Sequence, residues 1–278
     1  MSKIKVGISI GDLNGIGMEV IIKTFKDSRM MDFCTPIVFG SSKVASIHRK
    51  AVELQDFNFY NINTIIEAKE NKVNLLNCWK EDIDINFGAA TTTSGEYAFQ
   101  SMKLACDALK EEKIDVLVTA PINKASIQEK IRNFVGHTEF LQGNFEGEAL
   151  MIMVSEIMKI AFVTGHIPLT EVKKAITIEN IISKTKKLNA SLLQDFGIRK
   201  PKIAILGLNP HAGEEGLLGD EEKEIITPTI KQLKDEGIMA FGPYPADSFF
   251  TNNNLQNFDG ILSMYHDQGL TPFKTLSF

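Results

Sequence analysis

Three of the chain's five histidines lie in similar settings, each in a turn-rich segment directly after an apolar run. The segments are Thr164-Gly165-His166-Ile167-Pro168, Asn209-Pro210-His211-Ala212-Gly213-Glu214 and Tyr265-His266-Asp267-Gln268-Gly269. The runs before them, Lys159 to Val163, Lys202 to Leu208 and Gly260 to Met264, are typical of buried strands. Strands of one sheet that each end in such a loop can bring three imidazoles to one edge of that sheet.

Three neutral imidazoles with an open fourth position form a catalytic site for a divalent metal ion, because they bind the ion and leave room for a substrate oxygen. The pattern therefore predicts His166, His211 and His266 as metal ligands. The alternative is three unrelated loop histidines, which is the commoner explanation for any one of them alone. Imidazole accepts Zn²⁺, Mg²⁺, Mn²⁺ and Co²⁺, so the pattern leaves the identity of the ion open.

Two further segments carry polar side chains that could bind a ligand. His137 and Thr138 are predicted to begin a helix, whose free N–H groups and dipole favour an anion. An equally good interpretation makes Thr138 a helix cap and His137 a surface residue. Asn123 and Lys124 follow the apolar run at 115–118, at the kind of strand end where ligands bind in open α/β sheets.

Three isolated residues complete the set of candidates. Asp247 lies in the Pro-rich segment 243–248 and is either a turn residue or a base. Lys274 follows His266 by eight residues, and we expect that it can reach the same site. His48 stands between Ile47 and Arg49 in a helical stretch, and we predict that it is solvated.

Short β-branched runs alternate with helical patterns along the chain, which predicts an α/β fold with a largely parallel or mixed sheet. The predicted strands are Lys5–Ile10, Pro36–Phe39, Val73–Leu76, Asp115–Val118, Leu150–Val154, Ile160–Val163, Ile203–Leu206, Ile238–Phe241 and Gly260–Leu262. Helical spacing of apolar residues predicts one helix around 99–109 and another over 177–196, with Gly197 as its stop.

The glycines of the segment Gly11-Asp12-Leu13-Asn14-Gly15-Ile16-Gly17 stand between the first strand and a helix. Glycines in that position can cradle a phosphate on backbone N–H groups. Their spacing matches neither the dinucleotide G-x-G-x-x-G motif nor a Walker loop, so tight-turn glycines are the preferred interpretation.

Length and composition are those of an ordinary globular protein, with 278 residues, 44% hydrophobic and 23% charged. A net charge of −5 gives no general attraction to nucleic acid or anionic lipid. Cys34, Cys78 and Cys106 form no CxxC pair, which favours reduced thiols over disulfides or zinc ligands. The first ten residues resemble neither a signal peptide nor a membrane span, so we expect a cytoplasmic protein that does not bind membranes.

Seven segments together resemble the 4-hydroxythreonine-4-phosphate dehydrogenase family of vitamin B6 (pyridoxal phosphate) biosynthesis. They are GDLNGIG, TAPINK, GHTEFL, TGHIPL, NPHAGE, GPYPADSFF and YHDQGLTPFKTL, in this order from residue 7 to the end. The resemblance implies a two-lobed α/β fold with helices on both faces, similar to isocitrate and isopropylmalate dehydrogenases. We therefore expect one two-lobed unit over 1–278, with the boundary between its lobes left open.

The resemblance also implies the activity and the site. Members oxidise and decarboxylate 4-phosphohydroxy-L-threonine to 3-amino-2-oxopropyl phosphate with NAD or NADP and one divalent ion. At matching positions, the resemblance implies that the metal ligands are His166, His211 and His266. It also implies that the phosphorylated substrate is contacted by His137, Thr138 and Lys274. Lys274 and Asp247 are the candidate catalytic residues; no residue is assigned to the nicotinamide cofactor. The family works as a homodimer with shared sites. The apolar residues Tyr265, Pro272 and Phe273 suggest an interface near His266, so we expect a shared site to combine His166 of one chain with His266 of the other.

Two departures from the family pattern stand out. Its first motif usually reads G-[DE]-P-A-G-I-G-P-E, and Leu13, Asn14 and Met18 replace Pro, Ala and Pro here. Members also continue for roughly fifty residues or more, a length compatible with usual domain sizes. We therefore expect that the family's C-terminal end, with an Asn and an Arg for the substrate and a loop for NAD, is missing.

Other functions remain open at this point. A paralogous dehydrogenase would keep the site and act on a phosphorylated sugar acid or a cis-dihydrodiol. A metal-dependent hydrolase or lyase would use the same three histidines and a water molecule. A third alternative is a non-catalytic fragment that folds and binds metal without a cofactor site.

Overall fold

The computed structural model describes residues 3–278, which divide into two compact units. The first unit ends at Glu148 and the second begins at Ala149. Each contains a five-stranded sheet with helices packed against it. The predicted α/β class is confirmed, and all nine predicted strands are present, with ends that differ from the prediction by no more than three residues.

The first unit is built on a parallel sheet with the strand order β3-β4-β2-β1-β5. Its strands are β1 (Ile4–Ser9), β2 (Cys34–Gly40), β3 (Tyr60–Ile62), β4 (Asn74–Asn77) and β5 (Val116–Thr119). Its helices are α1 (Gly17–Lys26), α2 (Met30–Phe33), α3 (Ser42–Ala51), α4 (Thr92–Lys110), α5 (Lys124–Gln128) and α6 (His137–Gln142), with a 3-10 turn at Ile65–Glu67.

The second unit has the strand order β6-β7-β10-β8-β9, parallel except for the antiparallel pair β6-β7. Its strands are β6 (Ile152–Val154), β7 (Lys159–Phe162), β8 (Lys202–Leu206), β9 (Met239–Tyr244) and β10 (Gly260–Ser263). Its helices are α7 (Leu169–Ala175), α8 (Ile178–Gln194), α9 (Thr227–Asp235), α10 (Ala246–Phe249), α11 (Asn252–Asn257) and α12 (His266–Ser277). Short turns of other helical types span Pro210–Gly216 and Glu222–Ile226.

Side chains along each buried strand point alternately to the two faces of the second sheet, and helices pack on both faces. Ile203 and Ile205 of β8 pack in one apolar cluster with residues of α8 and α9, such as Leu188. Ala204 and Leu206 pack in the opposite cluster, which includes Phe273 of α12. Since both faces are covered, the strand ends and their loops are the part of the sheet left for chemistry.

Strand β3 was not predicted, because it has only three residues with the polar Asn61 at its centre and lies at the sheet edge. Both helix predictions are confirmed by α4 and α8, and Gly197 beyond α8 has a positive φ of 67°. Within residues 3–278, none of the helices combines the length and apolar character needed to cross a bilayer.

The glycines between β1 and α1 serve tight packing, as the preferred interpretation predicts. A Cβ added at Gly11 would lie 2.2 Å from the carbonyl oxygen of Pro121, and one at Gly17 would lie 2.2 Å from that of Ile10. Gly11 also has a φ of +70°. Only glycine fits these positions without displacing backbone.

Candidate functional site

The three predicted metal ligands follow three neighbouring parallel strands of the second unit. His166 lies beyond the end of β7, His266 beyond β10 and His211 beyond β8, and β10 is hydrogen-bonded to both of the other strands. Parallel strands end on one edge of a sheet, which is where open α/β sheets bind ligands. The sequence pattern therefore does bring the three histidine-bearing loops to one edge.

His166 and His266 are close to one another. Their ring centroids are 4.9 Å apart, and the His266 ring also stacks on Phe162 at 5.9 Å. His266 Nδ1 lies 2.7 Å from Asp267 Oδ1. A carboxylate that accepts from Nδ1–H leaves the lone pair on Nε2, the tautomer that a metal ligand needs. Sequence reasoning did not single out Asp267, although it follows His266 directly.

His211 occupies a separate position beside Asp247. Its Nδ1 is 3.8 Å from Asp247 Oδ2, and both side chains are mostly exposed. Asp247 is in the short helix α10 rather than in an irregular loop, because Pro245 ends the preceding strand segment and stands at the helix N-cap. Across residues 3–278 there is no cluster of three or more His, Cys, Asp or Glu side chains close enough to hold an ion.

Hydrogen bonds tie the three histidine loops together through the residues around them. The Thr164 hydroxyl donates to the Met264 carbonyl oxygen at 2.9 Å, which joins the His166 and His266 segments. The Gln268 side chain accepts from Met264 N–H at 2.7 Å and donates to the Gly207 carbonyl oxygen at 2.6 Å. Gln268 thus joins the ends of β10 and β8. No sequence signal marked this side chain.

Lys274 lies in the last turn of α12, the helix that His266 begins. The eight residues between them correspond to about 12 Å along the helix axis at 1.5 Å per residue. The Lys274 side chain is exposed. Phe273, in contrast, is buried at 2% exposure in the core, so it is not the interface residue that the sequence suggested.

In the first unit, His137 and Thr138 are the first two residues of α6, as predicted. The Nε2 atom of His137 is buried and has no hydrogen-bond partner among residues 3–278. Burial lowers the pKa of His137, and the nearby Lys124 ammonium lowers it further. A neutral imidazole with one unpaired nitrogen is suited to a polar group of a ligand.

The N-cap of α6 is Gly136, so Thr138 is not the helix cap of the alternative interpretation. Lys124 also approaches Gly136, with its Nζ 3.2 Å from the position that a Cβ at residue 136 would take. Asn123 caps α5 through a 3.1 Å hydrogen bond from Ser126 N–H to its side-chain oxygen. Of this pair, only Lys124 therefore has a side chain free of a local structural task.

The prediction for His48 was wrong. His48 is 2% exposed, lies 2.8 Å through Nε2 from the Leu13 carbonyl oxygen and meets Phe87 edge-on at 5.0 Å. Val44, Ala45 and His48 form the inward face of α3 at helical spacing, whereas Ile47 points outward. Burial lowers the pKa of His48, so the ring is a neutral donor to the β1–α1 loop.

A cleft of about 330 Å³ opens beside this loop in the first unit. It is bounded by residues 12–16 after β1, 88–90 before α4 and 121–123 after β5. The strand order reverses between β1 and β5, and such switch points are where α/β sheets bind nucleotides and other ligands. The cleft therefore lies at the position in the first sheet where such folds bind ligands.

The donor set at the second sheet fits a divalent ion. His166 and His211 are exposed imidazoles, and His266 has the carboxylate partner typical of metal-binding histidines. Nitrogen donors of this kind suit Zn²⁺ and Co²⁺ and accept other divalent ions. Three such ligands leave coordination positions for a substrate, which suits Lewis-acid chemistry rather than a closed structural site.

Comparisons with known proteins agree on one family. Residues 32–278 match the family model described as pyridoxal phosphate biosynthetic protein PdxA. The chain is 47% identical to the 4-hydroxythreonine-4-phosphate dehydrogenase of Bacteroides thetaiotaomicron over 279 aligned positions, covering 99% of this chain and 76% of that protein. It is 36% identical to a protein of Oceanobacillus iheyensis with the provisional name D-threonate 4-phosphate dehydrogenase, covering 98% and 82%.

A solved structure of the same family is also similar to this chain. The crystal structure of a 4-hydroxythreonine-4-phosphate dehydrogenase from Burkholderia phymatum superposes with a TM-score of 0.88 at 31% sequence identity. The superposition covers 100% of this chain and 85% of that one.

Proposed function

This chain belongs to the PdxA family of pyridoxal phosphate biosynthetic proteins and is an oxidoreductase, and we propose that it oxidises and decarboxylates 4-phosphohydroxy-L-threonine. The product is 3-amino-2-oxopropyl phosphate, the oxidant is NAD or NADP, and the reaction needs one divalent ion. The observation that carries the proposal is the set of three histidines beyond the ends of three adjacent parallel strands.

His166, His211 and His266 are the proposed metal ligands. The ion, when bound, supplies Lewis acidity that lowers the pKa of the substrate's secondary hydroxyl group. Asp267 fixes the His266 tautomer through the 2.7 Å contact with Nδ1. Asp247, 3.8 Å from His211, is proposed to orient the substrate's hydroxyl or amino group and to accept a proton there.

His137 and Thr138 are the proposed contacts to the substrate phosphate. Thr138 can donate its hydroxyl proton and neutral His137 can donate one ring N–H, as a phosphate oxygen requires. The ammonium group of Lys274 is the proposed positively charged contact to the negatively charged substrate. The nicotinamide cofactor supplies the hydride acceptor when it is bound.

A second candidate keeps the site and changes the substrate. The Oceanobacillus iheyensis relative is named for D-threonate 4-phosphate, a phosphorylated sugar acid that shares the phosphate and the oxidisable hydroxyl group but lacks the amine. Comparing kcat/KM for the two phosphorylated compounds decides between the candidates. We expect 4-phosphohydroxy-L-threonine to be preferred, and a preference for D-threonate 4-phosphate would favour the second candidate.

We also propose that the metal site is shared between the two chains of a homodimer. Contrary to the sequence-based expectation, we assign His166 and His266 of one site to the same chain, because their rings are neighbours within residues 3–278, whereas His211 lies beside Asp247 and no cluster of three ligands forms there. A two-fold interface uses the same patch on both chains, so His211 of each chain can complete the site of the other.

Mixing two inactive variants tests this arrangement. A heterodimer of His211→Ala and His266→Ala chains has one site with both defects and one intact site. After subunit exchange, equal mixing should restore about a quarter of the parental activity, because half of the dimers are heterodimers with one working site each.

The matched control is a mixture of His166→Ala and His266→Ala chains, which we expect to stay inactive because both ligands come from the same chain. If the first mixture shows no recovery after exchange has been verified by mass spectrometry, each chain builds its site alone.

A further inference from the structure

The turn that carries His211 has an unusual backbone. His211, Ala212, Glu214 and Glu215 have positive φ angles of 53°, 51°, 43° and 56°, with Gly213 between them at 80°. A side chain disfavours this left-handed conformation, because its Cβ comes too close to the following carbonyl oxygen. Such a run persists only where the surrounding structure fixes it.

The buried carboxylate of Glu222 fixes the start of this turn. Glu222 is 5% exposed, and its Oε1 accepts hydrogen bonds from the backbone N–H groups of Leu208 and Asn209, each at 2.7 Å. Its Oε2 accepts a 2.9 Å hydrogen bond from the Asn209 side-chain amide. All three donors belong to the two residues that precede Pro210 and His211.

The same carboxylate also lies against the far side of the turn. A Cβ added at Gly213 would be 2.6 Å from Glu222 Oε2, and one at Gly207 would be 3.1 Å from Oε1. The group therefore contacts the chain both before and after His211. Its fit depends on glycine at residues 207 and 213.

A second acidic residue extends the network toward the other histidine loop. Glu221 Oε2 accepts from the Asn209 amide at 2.8 Å, and Glu221 Oε1 is 2.5 Å from Lys173 Nζ. The hydrogen bond from Lys173 lowers the pKa of Glu221, which keeps this carboxylate charged. Lys173 belongs to α7, which begins three residues after His166.

Burying a carboxylate is unfavourable unless hydrogen bonds compensate for the lost water. Within the described chain, 3–278, Glu222 has no ion-pair partner, and its oxygens are used to fix one strained turn. An apolar residue would fill the space with less desolvation but could not hold the backbone N–H groups. The arrangement therefore indicates a role in placing the turn rather than in general stability.

We propose that Glu222 is a positioning residue that holds the left-handed turn so that His211 is presented for metal binding. This inference rests on the proposed function, since it takes His211 to be a metal ligand. The residues involved lie within the segment 207–222, together with Lys173 of α7.

Glu222→Gln tests the proposal with almost no change in shape. The new amide oxygen can accept from the backbone, but the NH₂ group then faces the Asn209 amide donor. We expect the Kd for Zn²⁺ alone, measured by competition with a chromogenic chelator, to rise about 10- to 100-fold, as for partners that orient metal ligands. Saturating Zn²⁺ should restore NADH formation, because the ligands themselves are intact.

Glu224→Gln is the matched control. Glu224 is exposed in the helical turn Glu222–Ile226, which also contains Glu222, and the substitution removes the same charge. Its Kd should stay within about twofold of the parent, the spread expected for a surface change. Hydrogen exchange of the metal-free protein should be faster at residues 207–219 in Glu222→Gln and unchanged in Glu224→Gln.

The outcomes distinguish a failure of the positioning role of Glu222 from a failure of the proposed metal site. If the parent binds Zn²⁺ and Glu222→Gln binds it equally well, the positioning role is wrong and the metal site stands. If the parent binds no Zn²⁺, the metal site fails and the inference fails with it. Should Glu222→Gln not fold, Asn209→Ala removes the side-chain amide that donates to both Glu221 and Glu222 and leaves the two backbone donors to Glu222 Oε1 in place. A Kd raised severalfold supports the proposal, and an unchanged Kd overturns it.

Discussion

Alanine at any one of His166, His211 or His266 is expected to lower kcat/KM by about a thousandfold or more and to remove the bound metal. The reason is that a Lewis acid contributes several kcal/mol to the transition state, and each 1.36 kcal/mol is a factor of ten in rate. Rate measurement and metal analysis on the same purified samples check this. The fold should persist, because His166 and His211 are exposed and His266 is only half-buried.

His48→Ala is the contrasting control among the histidines. It should keep its metal and most of its activity but lose stability, because the buried Leu13 carbonyl oxygen loses its partner. An unsatisfied buried acceptor costs about 1–3 kcal/mol, measurable by denaturant unfolding. If the three loop variants kept one metal per chain and near-parental rates, or if His48→Ala alone lost the metal, the assignment of the ligands would be wrong.

Removal of the substrate phosphate is expected to lower kcat/KM by about a thousandfold and to lower kcat as well as affinity. Binding energy from a remote charged group is used to position the reacting carbon, so a truncated substrate loses rate in addition to binding. The measurement compares 4-hydroxy-L-threonine with its 4-phosphate under identical conditions.

His137→Ala makes this comparison specific to the proposed phosphate contact. The variant should react much more slowly with the phosphorylated substrate, yet should differ little from the parent with the unphosphorylated one. Comparable kcat/KM for the two compounds with the parent enzyme would contradict a phosphate site. Such a result would favour a substrate of the cis-dihydrodiol type.

The sequence predicted the arrangement of the second sheet well, for a physical reason. Strands buried on both faces appear as continuous apolar runs, so the segments before His166, His211 and His266 could be identified directly. That all three loops lie at one edge also followed, because parallel strands of one sheet end at the same edge. The strand order that makes β7, β10 and β8 neighbours was not predicted. The two units of 3–148 and 149–278 have no linker signal in composition, so their boundary could not be predicted.

The supporting residues of the site could not be predicted in the same way. Glu222 and Gln268 act through contacts with residues 14 and 61 positions away, and spacing along the chain carries no sign of such contacts. The exposure of His48 was predicted wrongly because the prediction considered its neighbours in sequence, Ile47 and Arg49. The buried face of the helix instead contains His48 together with Val44. A search for i, i+4 pairs would have found that face. The left-handed turn at His211 likewise has glycine at only one of its five positions.

The most direct test of a metal-dependent dehydrogenase is NADH formation by the protein on 4-phosphohydroxy-L-threonine, before and after removal of divalent ions. We expect NADH to appear only when substrate, NAD and metal are all present. Chelation should stop the reaction, and Zn²⁺, Mg²⁺, Mn²⁺ or Co²⁺ should restore it. Consumption of the substrate without reduction of NAD or NADP, or NADH formation at the full rate in metal-free protein, would contradict a metal-dependent dehydrogenase.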